Sequence, residues 1–66
     1  MIKVSYRSAR VNSGLNLKEA SAALEIGLTT LHSYENGYTK PNAETLRKMA
    51  NLYGCEVSDF REVSAE

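Results

Sequence analysis

The chain has 66 residues, 42% of them hydrophobic, a formal net charge of zero and one cysteine, Cys55. A chain this short forms one domain with a small core and marginal stability. The composition excludes an intrachain disulfide, and no His/Cys cluster has metal-ligand spacing, so no metal or cofactor is expected. It also excludes a membrane span, because no apolar run approaches about 18 residues, and the N-terminus lacks the long apolar stretch of a signal peptide. A reduced, cytoplasmic compartment is the expectation.

Zero net charge argues mildly against a polyanionic partner, but the charges are polarised. Residues 1–18 hold Lys3, Arg7, Arg10 and Lys18 and no acid, giving +4. Residues 54–66 sum to −3 and the middle of the chain to −1. One basic face suffices for phosphate contact whatever the total charge. The alternative is that the charges are placed only for solubility.

In chain order, strand signals are weak, since the alternation at Ile2-Lys3-Val4 is too short. A first helix is expected after Ser5, ending near Ser13 with Gly14 as its left-handed stop. Its inward residues are Tyr6, Ala9, Arg10 and Val11. Asn16 caps a second helix, and Glu19 three residues on completes a capping box. Leu17 (at the edge), Ala20 and Leu24 point inward, and the small Ala20, Ala22 and Ala23 permit close helix approach. Glu25-Ile26-Gly27 is a turn, with Ile26 plugging the core.

A third helix is expected from about Leu28 to Asn36, stopped by Gly37, with Leu31 and Tyr34 facing in. Tyr38-Thr39-Lys40-Pro41 is a loop. Asn42 caps a fourth helix, Glu44 suits its dipole, Leu46, Met49, Ala50 and Tyr53 form its apolar stripe, and Gly54 ends it. A short fifth helix is expected near Val57 to Glu62. The remaining inward residues are Leu15, Cys55, Val57 and Phe60, with Cys55 a small core residue and not a redox sensor.

Helical spacing sorts the third helix into two sides. Leu31, Tyr34 and Glu35 share one. Leu28, Thr29, His32, Ser33 and Asn36, all short or compact, share the other. A small exposed face of this kind fits the major groove of DNA. Leu28, Thr29 and Ser33 are the candidates for base contact, with His32 beside them. Hydroxyls donate or accept, so direct readout is expected to be modest, with more weight on DNA shape. The phosphate-contact candidates are Arg7, Lys18, Asn36, Tyr38, Thr39 and Lys40, together with the N-terminal amides of the second and fourth helices. For each residue the competing reading is an ordinary solvated surface.

The chain resembles the Cro/CI-type helix-turn-helix domain of phage repressors and related bacterial regulators. The carrying residues are Arg10, Gly14-Leu15, Glu19, Leu24, Ile26, Thr30-Leu31, Tyr34-Glu35-Asn36-Gly37, Pro41, Leu46, Ala50 and Gly54. The resemblance covers residues 6–60, with the motif itself at about 17–36 and short extensions at 1–5 and 61–66. It implies an all-α, compact five-helix, lambda-repressor-like fold, with the helix-turn-helix in the second and third helices. It implies double-stranded DNA as ligand and a homodimer on a pseudo-palindromic site. It also implies that Arg10 and Glu35 form a partly buried structural ion pair.

Three positions depart from the family pattern. Leu17 stands where Gln usually touches a phosphate and buttresses the third helix, and it can do neither. Glu25 stands where the turn usually has Gly, and Gly27 where the third helix usually has a Ser or Thr cap. The function expected is a sequence-specific transcriptional regulator, repressor-like and derived from a phage or mobile element. With no second domain, dimerisation is expected through Val57, Phe60 and Val63. The alternative is a protein-interaction module that keeps the fold without binding DNA. No catalytic cluster assembles, so an enzyme is not expected.

Overall fold

The computed structural model describes residues 3–61. Four α-helices follow one another: α1 (Tyr6–Asn12), α2 (Leu17–Leu24), α3 (Leu28–Glu35) and α4 (Ala43–Tyr53), then a single 3-10 turn at Val57–Asp59. The all-α, helix-turn-helix expectation holds. The expected fifth helix is this 3-10 turn, and residues 62 and 63 lie outside the described residues.

Polar caps start three of the helices. Ser5 accepts from the Ser8 amide at 3.0 Å, and Asn42 from the Thr45 amide at 2.8 Å. Asn16 accepts from the Glu19 amide at 2.7 Å while its own amide donates to Glu19 Oε1 at 3.0 Å. That closes the capping box and satisfies two of the amides a helix start leaves open. α3 differs, because Gly27 stands at its cap position and offers no side chain.

All four helices end in the same way. A left-handed residue follows the last turn, and the next amide reaches back five residues: Leu15 to Arg10, Ile26 to Ser21, Tyr38 to Ser33 and Cys55 to Ala50. This closure needs positive φ at one residue. Gly14, Gly37 and Gly54 supply it in three helices, but after α2 the residue is Glu25, at φ 59° and ψ 40°. A side chain there costs about 1 kcal/mol.

The core comprises Tyr6, Ala9, Ala20, Leu24, Leu31, Met49, Ala50, Tyr53 and Phe60, with Leu31 and Met49 sealed from solvent. Leu15, Leu17, Ile26, Tyr34, Leu46 and Cys55 pack around it, half-buried. Phe60 meets Tyr6 edge-on at 5.0 Å and Tyr53 at 6.4 Å. The chain ends are joined by one parallel bridge between Val4 and Phe60. In it the Val4 amide donates to Asp59 O at 2.8 Å and the Arg61 amide to Val4 O at 2.7 Å.

Some expected inward positions are corrected. Val11 is exposed because α1, only two turns long, turns it away from both neighbours. Val57 is exposed on the 3-10 turn. Ala22 and Ala23, expected to permit close helix approach, are exposed, and α2 packs through Ala20, Ser21 and Leu24. Phe60 is spent inside its own core, so it is not available to a dimer surface; Val63 lies outside the described residues.

Candidate nucleic-acid interface

α3 is fixed from inside chiefly by Leu31 and Glu35, with Tyr34 half-buried beside them. Leu31 is fully buried in the core. Glu35 takes a two-pronged contact from α1: Arg10 Nε donates to its Oε2 at 2.7 Å and Nη2 to its Oε1 at 3.3 Å. Arg10 Nη1 also donates to Leu15 O at 2.8 Å, tying in the segment that leads to α2. The pair is almost removed from water, with side-chain exposures of 9% and 4%. A fork-on-carboxylate contact fixes orientation as well as distance. Tyr53 packs behind it, and its pKa is pushed up to about 12, first by burial and then by the Glu35 charge, with Arg10 pulling the other way. Its hydroxyl has no hydrogen-bond partner among the described residues.

With its inner side fixed, α3 presents Leu28, Thr29 and His32 to solvent, with Ser33 half-buried at the margin. At about 100° per residue, His32 and Glu35 fall towards one flank and Thr30 and Ser33 towards the other. Two surface recesses follow this division. The flank facing α1 and the start of α2 holds a recess of about 220 Å³ lined by Arg7, Arg10, Leu17, His32, Glu35 and Asn36. The opposite flank holds one of about 300 Å³ lined by Thr29, Thr30, Ser33, Tyr34, Thr39 and Lys40. Residues that sequence places on one face are therefore divided in space. His32 and Asn36 join Arg7, and Thr29 and Ser33 join the loop residues Thr39 and Lys40. Leu28 lines neither recess.

The phosphate candidates are all accessible. Arg7, Lys18, Asn36, Tyr38, Thr39 and Lys40 are exposed, and Lys40 is held next to the buried Pro41. Asn36 has a structural duty as well, since its Nδ2 donates to His32 O at 2.8 Å and closes the end of α3. Leu17 is one of the residues lining the first recess. Cys55 is half-buried, and burial followed by Asp59 raises its thiol pKa.

Two polar side chains escaped the sequence reading. Ser21 is buried on α2, where its hydroxyl donates to Lys18 O at 3.1 Å. Ser13 reaches Ala9 O at 2.9 Å and Tyr53 O at 3.1 Å, joining the ends of α1 and α4. Both satisfy backbone carbonyls, a duty with no periodic signal. Among the described residues there is no His, Cys, Asp and Glu group able to hold a metal. Nor is any described helix long and apolar enough to cross a membrane.

Comparison with known proteins places this geometry. The chain is 39% identical over 56 residues to the HTH-type transcriptional regulator DdrOP3 of Deinococcus deserti, a match covering 85% of the chain and 43% of that protein. It is 43% identical over 47 residues to the HTH-type transcriptional regulator ImmR of Bacillus subtilis, covering 71% of the chain and 37% of that protein. It is 32% identical over 60 residues to the cryptic phage CTXphi transcriptional repressor RstR of Vibrio cholerae, covering 91% of the chain and 54% of that protein. The chain thus spans about half or less of the length of these relatives. No solved structure matches it. Residues 7–60 match the helix-turn-helix family, and the chain belongs to that family.

Proposed function

We propose that the chain binds double-stranded DNA as a sequence-specific, repressor-like transcriptional regulator, with α3 in the major groove. The observation that carries this reading is the outward side of α3. It is short, compact and free of core duties, and phosphate-competent groups stand on both flanks. Leu28, Thr29 and Ser33 meet base edges, with His32 at the margin of the reading face. Lys18, Lys40, Arg7, Asn36, Tyr38 and Thr39 set the register on the backbone. The chain acts by binding and not by catalysis, in the cytoplasm, as a homodimer whose half-sites lie about one helical turn apart. A phage or mobile-element origin accords with the phage repressor among its relatives.

Leu17 in place of a polar residue, together with zero net charge, favours a second reading, a protein-interaction module. Salt dependence separates the two. A DNA binder loses affinity linearly in log salt, with a slope of about 0.9 per phosphate neutralised. Absence of duplex binding at low salt would select the interaction module. Selection of bound sequences from a random duplex pool tests the reading face. Thr29→Ala and Ser33→Ala are expected to change the preferred sequence, and an unchanged preference would remove them from base contact. Sedimentation showing a strict monomer with and without the selected duplex would remove the homodimer.

A further inference from the structure

The recess between α1 and α3 has an unspent half. Of its six lining residues, Arg10 and Glu35 neutralise each other through two hydrogen bonds. Asn36 holds the end of α3, and Leu17 is apolar. Arg7 and His32 remain. Both are exposed, and neither side chain makes an ion pair or side-chain hydrogen bond among the described residues. The charged groups facing His32 are Arg7 and Arg10 from α1 and Glu35 from α3 itself; α2 contributes only Leu17 to the lining. Subtracting the Arg10–Glu35 pair leaves a recess with one fixed cation and one imidazole.

The recess, at about 220 Å³, is smaller than typical small-molecule sites of roughly 300–1,000 Å³. It suits a single compact anionic group. Leu17, which also lines it, offers no hydrogen bond to such a group. At the start of α2 the Asn16 and Glu19 amides are already taken by the capping box.

Building on the DNA-binding reading, we propose that Arg7 and protonated His32 together hold one backbone phosphodiester of bound duplex in this recess, and that DNA binding is therefore proton-linked. Two cations lining one recess repel each other, and an anion between them turns that repulsion into attraction. An anion held beside an imidazole favours its charged form. The complex therefore takes up a proton, and affinity falls as pH rises. His32 then serves as a backbone contact and carries no sequence information.

The test uses the full chain and a labelled duplex of mixed sequence, with affinity measured against pH and salt. His32 is the single histidine of the chain, so any imidazole linkage must come from it. Wild type is expected to bind roughly ten-fold tighter near pH 5.5 than near pH 8. His32→Gln is expected to lose that dependence while selecting the same sequence from a random pool. Arg7→Gln is expected to reduce the salt slope by about 0.9 and to flatten the pH profile. Both positions are exposed, so thermal unfolding should be unchanged and folding is controlled. Duplex binding that is independent of pH, or a new preferred sequence in His32→Gln, would overturn the phosphate assignment and leave the DNA-binding reading standing. A chain that binds no duplex at any pH overturns both. Inorganic phosphate titrated against the His32 ring resonances gives the last arm. Competition with duplex at millimolar phosphate, where the duplex itself shows no pH dependence, would assign the recess to free phosphate and end the proposal.

Discussion

α2 and α3 are each eight residues long and lie in one motif, yet they are built in opposite ways. α2 has both legs of a capping box and buries Ala20, Ser21 and Leu24. α3 has no side-chain cap and buries only Leu31. Helical stability in proteins comes mainly from packing of an amphipathic face, so α2 is held by its own sequence and its neighbours. α3 is held by Leu31 and the Glu35 contact with Arg10, with Tyr34 half-buried against the core. The difference shows how a small domain frees a surface. It gathers the anchoring of the presenting helix on one side, in Leu31, Tyr34 and the Glu35 ion pair, which leaves Leu28, Thr29 and His32 exposed.

The comparison breaks most directly at the ionic anchor. Arg10→Met leaves the Glu35 carboxylate buried without its partner, which costs about 3–5 kcal/mol. A domain of this length has roughly 3–10 kcal/mol in all, so the single variant is expected to lose from about a third to all of its stability. Arg10→Met with Glu35→Leu replaces both charges and is expected to recover most of the loss. Urea unfolding followed by circular dichroism measures both. Equal midpoints for wild type and Arg10→Met would mean that α3 does not depend on the pair.

How far this contrast is legible in sequence depends on the range of each interaction. Caps and stops are local. Asn16 with Glu19, Asn42, Gly14, Gly37 and Gly54 announce themselves by residue type, so the helix limits follow closely. Inward positions are legible where a helix has three turns, as in α4, and for Tyr6, Ala9 and Arg10 of the two-turn α1, where only Val11, without decisive periodicity, departs. The bridge between Val4 and Phe60 joins segments at opposite ends of the chain, and no local pattern encodes it. The division of the α3 face into two flanks was likewise hidden. A helical wheel places His32 beside Thr29, but only the positions of α1 and of the 39–40 loop decide which recess each one lines.

The helix ends sharpen the comparison at about 1 kcal/mol. Asn16→Ala removes the cap that α2 relies on and is expected to cost about 1 kcal/mol. Glu25→Gly works in the other direction. It gives the turn after α2 the residue type that closes the other three helices, and relief of the left-handed strain is expected to stabilise by about 1 kcal/mol. Denaturant midpoints check both. A destabilised Glu25→Gly would show that the Glu25 side chain contributes more than its backbone conformation costs.

The smallest expected effect lies at the start of α3. Gly27 has φ −70° and ψ 149°, a conformation open to any residue. A Cβ added there would meet only Thr30 Oγ1, at an ordinary 3.6 Å. Gly27→Ser therefore fits without strain and supplies the missing cap to the first turn. Glycine is itself an acceptable cap, so the gain is expected to be only a few tenths of a kcal/mol. If Leu31 and Glu35 already fix α3, this added bond should raise the unfolding midpoint slightly and leave the preferred DNA sequence untouched. A changed preference would mean that the first turn of α3, which carries Leu28 and Thr29, still adjusts when DNA is bound. The reading surface would then be set by the quality of its cap as well as by its anchors.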